Sequence, residues 1–280
     1  MINFDTNNIV IVSYPANAGG KFLINCLGLS DLAVFQDATL AEQQLDGKLS
    51  IDDKIEYLSN TVINSTKNNW NDLHLGCIQL FGVDNILYLM YPVVDLIKQT
   101  DKMFLPVIKR LSDKNLKFFL VAHSPCYLEK YLLTWPNAKI IQFENTKNFI
   151  SFRQKSQLEI IWGNLRGADW PEYPPLSVEH LKNSCSTKIF EEINLRFPRI
   201  LDQIEISELM TNWHDKKIQE YKNNKLKNQI FFWDNNLYFS CDATVNRIEQ
   251  LYSDLNLTGF NREYITKYYN LWINKLKESE

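Results

Sequence analysis

Glycine is scarce in this chain, 9 of 280 residues, and proline (9), cysteine (5) and histidine (4) are no more frequent. Such a composition excludes collagen-like and flexible low-complexity classes. The five cysteines (Cys26, Cys77, Cys126, Cys185, Cys241) are odd in number and far apart, with no CxxC pair. That argues against a disulfide framework and a zinc site and for reduced thiols in a cytoplasmic setting. The four histidines (His74, His123, His180, His214) form no HExxH or HxH motif, and no metal is expected. Neither sign of charge dominates: 33 acidic against 30 basic residues give a net charge of −3. A strongly basic nucleic-acid binder is thereby excluded, although a local basic pocket is not. No apolar run reaches the roughly 18–20 residues of a membrane span. The stretch Ile78–Val94 is broken by Asp84, Asn85 and Pro92. The start, Met1-Ile2-Asn3-Phe4-Asp5, has no basic region before an apolar one, so no secretory signal is expected.

What the chain does have is apolar and aromatic mass. Hydrophobic residues make up 45%, charged residues 22%, and there are 7 Trp, 13 Tyr and 16 Phe, which together specify a folded chain. The length corresponds to about one to two domains. No repeat and no linker divides it, so a single domain over 1–280 is expected.

The first strong element is Asn8–Tyr14, a β-branched apolar run that reads as a strand buried on both faces. Ala16-Asn17-Ala18-Gly19-Gly20 is a turn of small residues, and Lys21–Leu27 has helical spacing. Helical stretches follow near 38–47 and 51–65, then a strand at Ile86–Tyr91 and a helix at Val94–Leu111. Leu116–Ala122 is a further buried strand, Cys126–Leu133 a short helix, and Trp135-Pro136-Asn137 a turn. Lys139–Phe143 is a fourth strand, with a helix from about Lys147. This alternation predicts an α/β fold with a mostly parallel sheet. The segment 162–176 crowds Trp162, Gly163, Gly167, Trp170, Pro171, Tyr173, Pro174 and Pro175 together and reads as a loop, a candidate lid. Residues 178–229 read as polar and helical. Ala243–Leu255 and Arg262–Lys277 read as two amphipathic helices, with Tyr268, Tyr269 and Trp272 spaced for the core.

A strand, a small-residue turn and a helix make an anion site, because N–H groups at the helix start point outward and the helix dipole favours negative charge. Ala18, Gly19, Gly20, Lys21 and Phe22 are the candidate residues there, with Asn17 as a neutral donor. The full P-loop pattern GxxxxGK[ST] is incomplete: Pro15 stands at the first glycine and Phe22 at the metal-binding hydroxyl. A tight ligand-free turn fits the same residues. Its place after the strongest buried strand favours a ligand, since α/β sheets bind at the carboxyl ends of their strands.

Tyr14–Leu23 resembles the 5′-phosphosulfate loop of sulfotransferases that use 3′-phosphoadenosine 5′-phosphosulfate (PAPS), whose pattern is roughly YPKSGTTWL. Phe119–Pro125 is similar to that family's strand ending in K-T-H-x-P, and Asn137–Phe143 to its A-K-I-I-Y strand. Ile248–Leu257 is similar to the late helix ending in F-L-G-L. The resemblance covers a quarter to a third of the chain. It implies a three-layer α/β sandwich with a mostly parallel central sheet and a P-loop-like strand–turn–helix. It also implies sulfuryl transfer from PAPS, leaving PAP, to a hydroxyl or amine of a small molecule, with His123 as base and no metal. The departures are specific. The family lysine precedes the glycine, whereas Lys21 follows Gly20. Where the family reads R-N-P-x-D-x-x-x-S to grip the 3′-phosphate, this chain reads Glu144–Ser151, so an acid replaces the arginine. Lys147, Ser151 and Arg153 are the candidate replacements.

The chemistry fits those residues. Imidazole titrates near neutral pH, which suits His123 to accept the acceptor's proton. Lys21 and the N–H groups of the turn suit the charge that develops on the leaving phosphate. Trp162, Trp170 and Tyr173 are candidates to wall the acceptor pocket, or else to pack a long loop. Two other readings stay open. The fold can be kept without catalysis, as a nucleotide-binding or interaction module, and Glu144 favours this. A P-loop kinase is opposed by Pro15 and Phe22.

Overall fold

A computed structural model describes residues 6–14, 18–33, 48–64, 116–122, 135–149, 215–223 and 229–278, together with residues 128, 132, 133, 187, 188 and 191. The expected elements at 38–47, Ile86–Tyr91, Val94–Leu111 and 162–176 lie outside the described residues.

The described strands form one all-parallel sheet. Strand β1 (Ile9–Ser13) is central, flanked by β2 (Phe118–Ala122) and β3 (Lys139–Glu144), and β4 (Ile230–Asp234) lies beyond β3. The order is β2-β1-β3-β4. Every residue of β1 is buried, as its unbroken apolar run requires. The α/β class with a parallel sheet is therefore the observed one. Ile11 pairs with Leu120 on one side and with Ile140 on the other, and Ser13 with Ala122 and Gln142. Strand β4 continues the ladder, Gln142 opposite Phe232 and Phe143 opposite Trp233. The sequence does not announce this strand: the stretch that reads as polar and helical ends at 229, and an aromatic Ile-Phe-Phe-Trp-Asp strand follows at once.

Four helices are described: α1 (Gly20–Gly28), α2 (Ile51–Asn64), α3 (Cys241–Asp254) and α4 (Arg262–Glu278). Residues 146–149 and 215–222 are also helical. One apolar cluster joins alternate sheet residues (Val10, Val12, Phe119, Ile141, Phe143, Trp233) to α1, α3 and α4. The strand pleat sends Ile9, Ile11 and Ile140, also buried, to the opposite face. Lys222, from the 215–222 helix, lies over the ring of Phe232, 5.2 Å from its centroid, and pairs with Glu144.

The centre of the cluster is aromatic. Phe22 stacks on Trp272 (centroids 4.2 Å apart) and Tyr268 (5.3 Å), and meets Tyr238 edge-on at 5.7 Å. Tyr268, Tyr269 and Trp272 are core residues, as their spacing predicts. Buried tyrosine hydroxyls need partners, and Tyr268 accepts from Asn25 Nδ2 at 3.1 Å. The Tyr269 hydroxyl donates to the Tyr238 carbonyl (2.6 Å), and the Tyr252 hydroxyl to the Cys26 carbonyl (2.8 Å). Helix α3 starts at Ser240, whose Oγ accepts from the Ala243 N–H, a standard N-cap. It stops at Asn256, which has φ 53°, where the Leu257 N–H reaches back to the Tyr252 carbonyl at 2.7 Å.

Candidate functional site at the carboxyl edge of the sheet

The carboxyl ends of β1, β3 and β4 lie side by side, and the glycine turn follows β1. Gly19 caps α1 with φ 80°, a left-handed conformation that glycine adopts without strain. Its neighbours add a second constraint. A Cβ there would stand 2.9 Å from Tyr238 Cε2 and 3.1 Å from Phe149 Cε1. The Tyr238 hydroxyl donates to the Gly19 carbonyl at 2.9 Å. A Cβ on Gly20 would collide with the ring of Tyr14. The glycine pair therefore has a packing reason of its own, and Tyr238 fixes the turn from across the chain.

Around that turn the candidate residues divide. Ala18, Gly19 and Gly20 are buried and Lys21 half-buried at the start of α1. Phe22 turns its side chain into the aromatic core, and its N–H donates to the Gly19 carbonyl at 3.1 Å. Of the residues in the expected 3′-phosphate segment, Lys147 is described: it is exposed and 3.6 Å from Asp215. Glu144, where the resemblance places an arginine, pairs with Lys222, so the positive charge beside it comes from another element. Asn17, His123, Ser151, Arg153, Trp162, Trp170 and Tyr173 lie outside the described residues. In the chain His123 directly follows Ala122, the last residue of β2, whose register partner is Ser13.

The same edge holds polar atoms that the sequence reading did not single out. Among the described residues, Ser13 Oγ, Gln142 Oε1, Trp233 Nε1 and both side-chain polar atoms of Asn235 are buried without a hydrogen-bond partner. Ser13 ends β1, Gln142 and Trp233 lie in the last three residues of β3 and β4, and Asn235 directly follows β4. Native interiors leave few such atoms unpaired, because each costs about 1–3 kcal/mol. The sequence signal was available in one case: Gln142 is a lone amide in an otherwise apolar Ile-Ile-Gln-Phe run. Among the described strands, the chain passes from β1 to β2 on one side and from β3 to β4 on the other. The boundary between β1 and β3 is therefore a topological switch point, where open α/β sheets form their binding crevice.

Among the described residues no group of three or more His, Cys, Asp or Glu is placed to hold a metal, and no helix is long and apolar enough to cross a membrane. Cys26 is buried and Cys241 half-buried, both as free thiols, and burial pushes both pKa values up, against the reactive thiolate form.

No protein-family model matches the chain, and no curated protein or solved structure shows significant similarity to it.

Proposed function

We propose that this protein is a PAPS-dependent sulfotransferase acting on a hydroxyl or amine of a small molecule, built on a three-layer α/β sandwich with a P-loop-like strand–turn–helix. The observation that supports a ligand site is the glycine turn at the start of α1, held by the Tyr238 hydroxyl and following β1 at the switch point between β1 and β3. The sulfuryl chemistry comes from the sequence resemblance at Tyr14–Leu23, Phe119–Pro125 and Asn137–Phe143.

In this reading the phosphosulfate lies at the start of α1, where the helix dipole and the Lys21 ammonium favour an anion. The acceptor's lone pair attacks sulfur, the bond from sulfur to the bridging phosphate oxygen breaks, and PAP leaves with that electron pair. The acceptor proton goes to His123. Lys21 offsets the charge that develops on the departing phosphate. No metal takes part in the step.

A second reading, a nucleotide-binding or interaction module without catalysis, is favoured by one observation. Glu144 stands in the expected 3′-phosphate segment and is neutralised by Lys222, which leaves no net charge there for a phosphate. Calorimetric titration with PAP, with ATP–Mg²⁺ as comparison, separates the readings. The sulfotransferase binds PAP in preference. Its His123→Ala variant keeps PAP affinity and loses turnover by about 10²–10⁴-fold. Lys21→Ala weakens PAP by about 10- to 100-fold. Preference for ATP–Mg²⁺ would point to a kinase, and binding of neither nucleotide would leave the interaction module.

A further inference from the structure

Among the described residues, β4 has β3 on one side and no strand on the other. The Ile140 N–H donates to the Gln229 carbonyl at 2.8 Å, and backbone groups alternate in direction along a strand. Gln229, Phe231 and Trp233 therefore turn theirs toward β3, and Ile230, Phe232 and Asp234 turn theirs outward. An outward row of N–H and C=O groups is a template for another strand. The side chains add to that tendency. Ile-Phe-Phe-Trp is apolar, rich in strand formers and free of Pro and Gly.

The middle of this edge is taken by a side chain. Arg247, from α3, donates through Nη2 to the Phe232 carbonyl at 3.1 Å. Its Nη1 lies 3.4 Å from Asp254, which also accepts from Gln250 Nε2 at 2.9 Å. Cations stand over the half-buried rings of the strand as well. Lys139 Nζ is 5.9 Å from the Phe231 centroid, and Lys222 Nζ is 5.2 Å from that of Phe232. The guanidinium thus occupies the place where a neighbouring strand would bring its N–H. We infer that Arg247 closes the outer edge of β4 and so keeps a second copy of this chain from pairing with it. Identical edges meet about a two-fold axis, which makes such a pairing antiparallel. Centred on Phe232, it would have the two Phe232 residues exchange both N–H···O bonds, and the Arg247 of each copy stands in the way. The inference is independent of any ligand and of the sulfotransferase reading.

The test uses the full chain. Arg247→Met keeps the apolar stem of the side chain and removes its donors. In sedimentation velocity the variant should self-associate at least about tenfold more tightly than wild type. Hydrogen exchange locates the contact: the Ile230 and Phe232 amides should slow with rising concentration in the variant and not in wild type. Thermal melting checks that the variant is folded. If it is not, Asp254→Asn, which leaves the guanidinium in place but loosens it, carries the test with a shift of the same sign. Sedimentation unchanged in both variants would overturn the inference. So would a wild type that already associates with Ile230 and Phe232 protected. Association of the variants without protection at those amides would place the contact elsewhere and overturn it too.

Discussion

Lys54 shows how a single buried charge is tolerated. Its ammonium donates to the carbonyls of Gly28 (2.9 Å) and Ser30 (2.8 Å), so it caps the carboxyl end of α1, where the helix dipole favours a cation. Burial nevertheless holds its pKa down to about 8, against 10.5 for a free lysine, while Asp31 acts weakly in the other direction. Between those two values the unfolded chain binds more protons than the folded one, so this group adds stability as pH rises through the window. Denaturant titrations of wild type and Lys54→Met from pH 7 to 10 should show the wild type gaining on the variant above pH 8. A difference that stays flat with pH would refute this assignment. Gly19 carries the other sharp expectation at this scale. Gly19→Ala meets both a left-handed φ and the Tyr238 ring, and should cost about 1–3 kcal/mol in chemical denaturation.

The elements differ in how openly the sequence announces them. Strands β1 and β3 are apolar runs buried on both faces and β2 is an apolar run, and such runs stand out between polar neighbours. Strand β4 does not. Its alternation of buried and half-buried residues is shallow, its side chains are mostly aromatic, and it begins where a long polar stretch ends. The aromatic run Phe231-Phe232-Trp233 was the available signal. Helices α3 and α4 were legible within a few residues because their apolar spacing is regular and their ends carry caps. Ser240→Ala should therefore cost about 1 kcal/mol, read by urea unfolding, with the loss confined to the first turn of α3 in hydrogen exchange. Of the candidate site, the glycine turn was visible as a motif. Its clamp by Tyr238 was not, because 219 residues separate the partners and nothing local marks the pairing. Of the buried polar atoms at the strand ends only those of Gln142 were signalled, by a lone amide in an apolar run, since a Ser, Trp or Asn reads the same in sequence whether or not it finds a partner.

At the scale of the whole molecule, one aromatic assembly serves both stability and the site. Trp272 touches Phe22, Phe149 and Tyr238, and the last two are also the rings that confine Gly19. Trp272→Ala should cost about 3–5 kcal/mol by denaturation. Under conditions where the variant still folds, the proposed PAP affinity should fall as well, because the wall behind the glycine turn has lost its support. Intact PAP affinity in a destabilised but folded variant would show that the turn keeps its shape without the assembly.

The bond from Tyr238 to Gly19 also has a meaning in time. A ribosome reaches the clamp 219 residues after it has made the glycine turn. At about 5–20 residues per second, that interval is on the order of ten to forty seconds. Throughout it, the nascent chain carries β1 and α1 without Tyr238, so the loop takes its final shape only once residue 238 has been made. A polypeptide still held on the ribosome before residue 238 therefore lacks the clamp on its glycine turn.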